Sequence, residues 1–226
     1  MRRPPIAAAA FDLDGTLVNT EVLWDAVGEA ICARHGQSFT RQTKLAMMGK
    51  PGPVSLAILI ERHHLPLTVE AAQAHCDEEF ARLLPGRLAL LPGALEVLSA
   101  CRERGVPRCI VTSSRRPFVE TVLTLLGLGP MFDFAVTGDE CPRGKPDPWP
   151  YHHAAERFGV DPAAMLVFED SLAGIESAVA AGAVVVGLPA EDVGLTEHPG
   201  VALLATGLDD PAVTRLLTER LPRGRG

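Results

Sequence analysis

No long run of Lys or Arg occurs in this chain, and acids outnumber bases, 28 against 21, for a formal net charge of −7. Polynucleotide surfaces reward clustered bases, so this balance argues against a nucleic-acid partner. It leaves room for a small phosphorylated metabolite, provided that a metal and a lysine meet in one cleft. Long apolar runs are also missing. None approaches the ~18 residues of a membrane span, so no membrane partner is expected. The opening MRRPPIAAAAFDLD has the basic start of a secretory signal, but Asp12 and Asp14 end its apolar stretch too early. Cysteine is sparse: Cys32, Cys76, Cys101, Cys109 and Cys141 are odd in number and form no C-x-x-C pair. That pattern argues against a disulfide framework or a zinc site and for reduced thiols in a cytoplasmic enzyme. There is no internal repeat and no low-complexity block. No long apolar stripe suggests a partner copy, so a monomer is expected.

What is present is an ordinary globular balance, 47% hydrophobic and 22% charged over 226 residues. Such a length can bury one large core, or a core with a smaller insertion. Short apolar runs start at Ile6, Cys109, Asp133, Met165 and Val184, and all but the last end in acids or hydroxyls. Continuous runs of this kind suit parallel strands covered on both faces. Helical spacing separates them. Leu95, Val97, Leu98 and Cys101 mark one helix, and Phe118, Val122, Leu125 and Leu126 the next. Tyr151, Ala154, Ala155 and Phe158 mark a third, and Leu172, Ile175 and Val179 a fourth. Gly105, Gly127, Gly159 and Gly182 stand where each should stop. The alternation predicts a doubly wound, Rossmann-like α/β sheet.

One stretch breaks it. From about Val18 to Pro85 the pattern is helical, with helices over residues 23–36, 54–64 and 69–84. A helical block straight after the first strand predicts an inserted cap over 18–85, with residues 1–17 and 86–226 forming the core. Val18–Thr20 and the Pro-Gly punctuation between Leu84 and Pro92 are the expected hinges. The tail from Leu221 is expected to be disordered.

In open α/β sheets, ligands bind beyond the carboxyl ends of the strands. Four such ends here carry polar groups: Asp12 with Asp14, Thr112–Ser114, Gly138–Lys145, and Glu169 with Asp170. Two carboxylates two residues apart can share one side of a turn that Gly15 permits. One can bind metal and attack phosphorus, and the other can handle the leaving group's proton. Each motif also has a plainer reading. Asp-Gly is a common turn, and Asp12, Asp14, Gly15 and Glu21 partly fit a calcium loop. Glu169, Asp170 and Ser171 suit a helix start, as do Thr112–Ser114, and Lys145 before Pro suits a turn. His63-His64 and His152-His153 diverge as helix neighbours and are expected at the surface.

With all four motifs in order, DLDGT, VTSS, GKPDP and VFEDS, the chain resembles the haloacid dehalogenase-like hydrolases, in the branch with a helical cap. The resemblance runs from about Ala7 to Leu188. It implies that Asp12 is the nucleophile, forming an aspartyl-phosphate, and that Asp14 protonates the leaving alcohol and later activates water. It implies that Thr112, the Ser113 N–H and Lys145 bind the phosphoryl oxygens. Mg²⁺ would be held by Asp12, the Asp14 carbonyl and Asp170, with Glu169 acting directly or through water. Asp14 counts against haloacid dehalogenases and phosphonate hydrolases, which lack a second acid in this motif. The β-phosphoglucomutase-like enzymes are the alternative. Here Trp24 takes the position of their histidine after the linker, Asn19-Thr20, and Lys50-Pro51-Gly52 offers no arginine after Gly49. The segment from Met47 to Leu59 is similar to the cap of pseudouridine-5'-phosphatase-like enzymes, which makes Trp24 and Lys50 candidate substrate contacts. A catalytically silent binding module on the same fold is the other alternative, and the presence of both Asp12 and Asp14 argues against it.

Overall fold

A computed structural model of the chain describes residues 4–47, 50, 52–189 and 197–222. Its centre is a parallel sheet. Strand β1 (Ala8–Phe11) is wholly buried, with three alanines that let helices approach both faces closely. The other expected strands form as β2 (Arg108–Val111), β3 (Phe134–Val136), β4 (Met165–Glu169) and β5 (Val184–Gly187). A further strand, β6 (Val201–Leu204), lies outside the sequence expectation. It is a half-exposed edge strand, so it lacks the buried apolar run by which the others are read. Among the described residues the order is β3-β2-β1-β4-β5-β6, and every pairing is parallel. The direction of winding reverses between β1 and β4, the switch point where such sheets bind ligands.

The chain divides into two compact units, Met1–Val18 with Leu90–Gly226, and Asn19–Ala89. The second unit is helical: α1 (Glu21–Arg34), α2 (Arg41–Met47), α3 (Gly52–His63) and α4 (Val69–Leu83). The short α2 has too few turns to show a clear apolar period and was not expected. Thr68 caps α4 by accepting from Ala71 N. Helix α1 packs on α4, where Arg34 bridges Glu78 at 3.1 Å and Glu79 at 2.7 Å. His63 corrects a surface expectation. It shares the buried face of α3 with Leu56 and Leu59, and its Nε2 lies 2.9 Å from Thr43 Oγ1.

The helices of the sheet unit are α5 (Ala94–Glu103), α6 (Arg116–Leu126), α7 (Trp149–Phe158), α8 (Leu172–Ala180) and α9 (Pro211–Arg220). Helices α7 and α8 cover one face of the sheet, and their Tyr151, Ala154, Ile175 and Ala178 close a core with Ala8, Ala10, Val111 and Val167. Phe11 and Phe168 stack in parallel across neighbouring strands, centroids 4.9 Å apart, and are fully buried. Burying each such ring contributes roughly 1.5–3 kcal/mol. Helix α9 was also unexpected, although Asp210-Pro211 carries its signature: the Asp210 side chain accepts from Ala212 N ahead of a first-turn proline. The expected disordered tail begins too early, because Leu221 is buried; residues 223–226 of that expectation lie outside the described residues. All five cysteines are free thiols. Among the described residues, no helix is long and apolar enough to cross a membrane.

Candidate active site

Strand β1 ends at Phe11, and the chain then turns sharply. Asp14 bridges Val18 and Gly15 N donates to Val18 O at 3.0 Å. Gly15 is left-handed, φ 77°, and a Cβ there would run into the Asp170 carboxylate. The turn therefore needs glycine for both its backbone angle and its neighbour. It aims Asp12 and Asp14 beyond the carboxyl edge, where β4 delivers Glu169 and Asp170 and β2 delivers Thr112, Ser113 and Ser114.

Asp12, Glu169 and Asp170 can place one oxygen each within 4.8 Å of one another. Lys145 is 7% exposed and reaches this cluster from the loop before α7. Its Nζ donates to Asp12 Oδ1 at 2.6 Å and to Val111 O at 2.8 Å, and it pairs with Glu169 Oε1. Glu169 is fully buried, so its charge survives only by being matched. Besides Lys145, Tyr151 OH donates to Oε1, and Ser171 Oγ donates to Oε2 at 3.2 Å. Thr16 Oγ1 donates weakly to Asp170 Oδ1, at 3.4 Å. On the other side of the turn, Asp14 Oδ2 accepts from Ser114 Oγ at 2.6 Å and from Thr112 Oγ1 at 3.4 Å.

Asp12 and Glu169 thus share one ammonium, and Asp170 and Asp14 lie close enough to Asp12 to act on its charge. Burial pushes the Asp12 carboxyl well above its usual range; Lys145 opposes this, while Glu169, Asp170 and Asp14 add to it. Burial works against the Lys145 ammonium, but Asp12 and Glu169 outweigh it and raise its value. The cluster carries more negative charge than Lys145 can offset. A hard divalent cation among oxygen donors would supply the missing positive charge, so the residues fit Mg²⁺.

The sequence-derived candidates fall in two places. Asp12, Asp14, Thr112, Lys145, Glu169 and Asp170 share this carboxyl edge, and Ser113 lies exposed in the same loop as Thr112. Trp24 and Lys50 belong to the helical unit. Trp24 is about one-third exposed on α1 and packs edge-on against Phe80, centroids 4.4 Å apart, while Lys50 is exposed between α2 and α3. Gly49 and Pro51, which flank Lys50, lie outside the described residues. Two plainer readings of the motifs part company. Ser171 does cap α8, accepting from Gly174 N at 3.1 Å. Helix α6, by contrast, has Arg115 at its N-cap position with no cap bond from that side chain, and its first N–H, Arg116 N, donates to Asp139 Oδ1 at 3.0 Å, so Thr112–Ser114 do not serve that end. Sequence reasoning put Ser114 and Thr16 in the motifs at this edge but gave neither a role of its own, and it missed Tyr151 as a site residue. For Tyr151 a signal existed: the chain's one tyrosine sits on the apolar face of a helix, and a buried phenol needs an acceptor.

Comparison with known proteins places the chain in a family. The family model for haloacid dehalogenase-like hydrolases matches residues 6–182. The chain belongs to that family. Among curated relatives of this hydrolase is validoxylamine A 7'-phosphate phosphatase of Streptomyces hygroscopicus subsp. limoneus, 35% identical over 183 residues, which cover 80% of this chain and 84% of that one. Another is the phosphorylated carbohydrates phosphatase of Thermotoga maritima, 33% identical over 175 residues, covering 77% and 81%. The crystal structure of CbbY from Rhodobacter sphaeroides in complex with phosphate superposes with a TM-score of 0.81 at 27% identity, covering 90% of this chain and 95% of that one.

Proposed function

We propose that this hydrolase cleaves phosphate monoesters of small phosphorylated metabolites through an aspartyl-phosphate on Asp12. One observation carries the reading: Asp12 lies buried at the switch point with Lys145 on its carboxylate, and a second acid, Asp14, follows in the same turn. Lys145 keeps positive charge beside a carboxylate that must approach an anionic phosphoryl group. An Asp12 oxygen attacks phosphorus, and the bond to the leaving oxygen breaks. Asp14 gives that oxygen its proton, then takes one from the water that releases phosphate from Asp12. Thr112, the Ser113 N–H and Lys145 are assigned to the phosphoryl oxygens. Asp12, the Asp14 main-chain carbonyl and Asp170, with Glu169 directly or through water, are assigned to Mg²⁺, which when bound supplies charge against the phosphoryl oxygens.

Residues 18–85 are proposed as a cap that selects the substrate, with Trp24 and Lys50 as its contacts. Phosphorylated carbohydrates are the proposed substrate class; the name of the Thermotoga maritima relative above supports it. The test is Mg²⁺-dependent phosphate release from p-nitrophenyl phosphate, followed by a panel of sugar, hexitol, pseudouridine and glycolate phosphates. Release that needs the metal and is fastest on a carbohydrate ester supports the reading. A purified, folded protein that releases no phosphate from any of them would overturn it.

A further inference from the structure

A general acid must sit within hydrogen-bond reach of the oxygen it protonates. The backbone of Asp14 is fixed by the turn to Val18, but an aspartate side chain still has several rotamers open to it. Something must select one. Ser114 Oγ approaches Asp14 Oδ2 at 2.6 Å, the length of a hydroxyl donating to a carboxylate. Ser114 is itself held twice through its main chain. Its N donates to Thr112 Oγ1 at 3.0 Å, and its carbonyl accepts from Gly138 N at 2.9 Å. The first bond tightens the loop after β2 and the second ties it to the loop after β3, so the hydroxyl stands on a main chain held at both ends. It is not used in capping α6.

Thr112 also touches Oδ2, but at 3.4 Å. It has one proton to give, and the reaction assigns that proton to a phosphoryl oxygen. Ser114 is then the hydroxyl that stays on Asp14 when substrate is in place. We propose that Ser114 is the positioning residue for Asp14: it holds Oδ2 so that Oδ1 is presented to the ester oxygen and afterwards to water. This rests on the phosphatase reading above. In the first step the Asp12–phosphorus bond forms and the phosphorus–oxygen bond to the alcohol breaks, its electron pair taking the proton from Asp14. In the second, Asp14 takes a proton from water as water attacks and the Asp12 bond breaks. Ser114 keeps its proton throughout.

The experiment measures alcohol release in the first turnover, with enzyme in excess and Mg²⁺ present, for p-nitrophenyl, phenyl and benzyl phosphates. These leaving groups need progressively more protonation. Ser114→Ala should lower the benzyl rate relative to the p-nitrophenyl rate by about ten- to hundredfold, part of the 10²–10⁴ that a general acid supplies. The shift should lie in the first-turnover rate at saturating enzyme, with the enzyme concentration that gives half of that rate within about threefold of wild type. Ser114→Thr, which keeps the hydroxyl, should restore the ratio. Ser114→Ala combined with Asp14→Asn should be no more selective than Asp14→Asn alone, because the two act as a unit. If Asp14→Asn shows the leaving-group dependence and Ser114→Ala does not, the role of Ser114 is overturned and the phosphatase reading stands. If the wild type releases no nitrophenol, the reading itself falls and the inference with it.

Discussion

Tyr151→Phe removes one atom from the buried side of the site, and the structure sets the size of the effect. The phenol is fully buried and donates to Glu169 Oε1, beside the Lys145 ammonium. Burial, with Glu169 next to it, holds the proton on the phenol, so it is a donor at any working pH. A hydrogen bond to a charged group contributes about 1.5–3 kcal/mol. After the change Glu169 still has Lys145 and Ser171, so it is not orphaned and the loss should fall at the low end, about 1.5 kcal/mol. For a chain of this length that lowers the melting midpoint by about 3–6 °C. Tyr151→Ala also empties the core between Lys145 and α7, and should cost about 3–5 kcal/mol. Thermal and urea denaturation of the metal-free variants measure both. An unchanged or raised midpoint for Tyr151→Phe would refute the claim that the phenol stabilises the buried carboxylate.

Asp12→Asn should abolish turnover yet raise the melting midpoint of the chelator-treated protein. Burial and the three neighbouring acids raise the Asp12 carboxyl in the folded state, so its ionised form weakens the fold at neutral pH. By the same sign, metal-free wild type should lose stability as pH rises from the ordinary value of 3.8 through the raised one, and the Asn variant should lose less. Melting curves across that pH range decide it, and equal slopes would contradict the electrostatic account. Asp170→Ala should weaken Mg²⁺ binding more than Lys145→Ala does, because Asp170 is assigned to the metal and Lys145 to phosphate. Calorimetric Mg²⁺ titration of both variants checks this, and a reversed order would mean that the roles are misassigned.

The sheet and its acidic edge were legible because their signals are local. β1 and β4 read as unbroken apolar runs ending in acids, and Lys145 stands in a loop between helix and strand patterns. The elements that escaped lack such signals. β6 is a half-exposed edge, α2 spans seven residues, and the capping pair at Asp210-Pro211 follows a stretch with no clear period. His63 read as a surface residue because adjacency was weighed and the Leu56–Leu59–His63 spacing was not. The roles of Tyr151 and Ser114 escaped for a different reason. The sequence marks Tyr151 as a buried phenol and puts Ser114 at the carboxyl edge, but their partners, Glu169 and Asp14, lie 18 and 100 residues away in the chain, and no local pattern names them.

The central claim is that Asp12, and not water, first attacks phosphorus. The stereochemistry at phosphorus tests it directly, with a phosphorothioate ester made chiral by two oxygen isotopes and hydrolysed in water carrying the third. Attack by an Asp12 oxygen inverts phosphorus as the bond to the alcohol breaks, and attack by water inverts it again as the bond to Asp12 breaks. Net retention of configuration is therefore expected in the released thiophosphate, with one oxygen from water on it and both Asp12 oxygens left on the enzyme. Net inversion, the mark of a single displacement by water, would contradict the account.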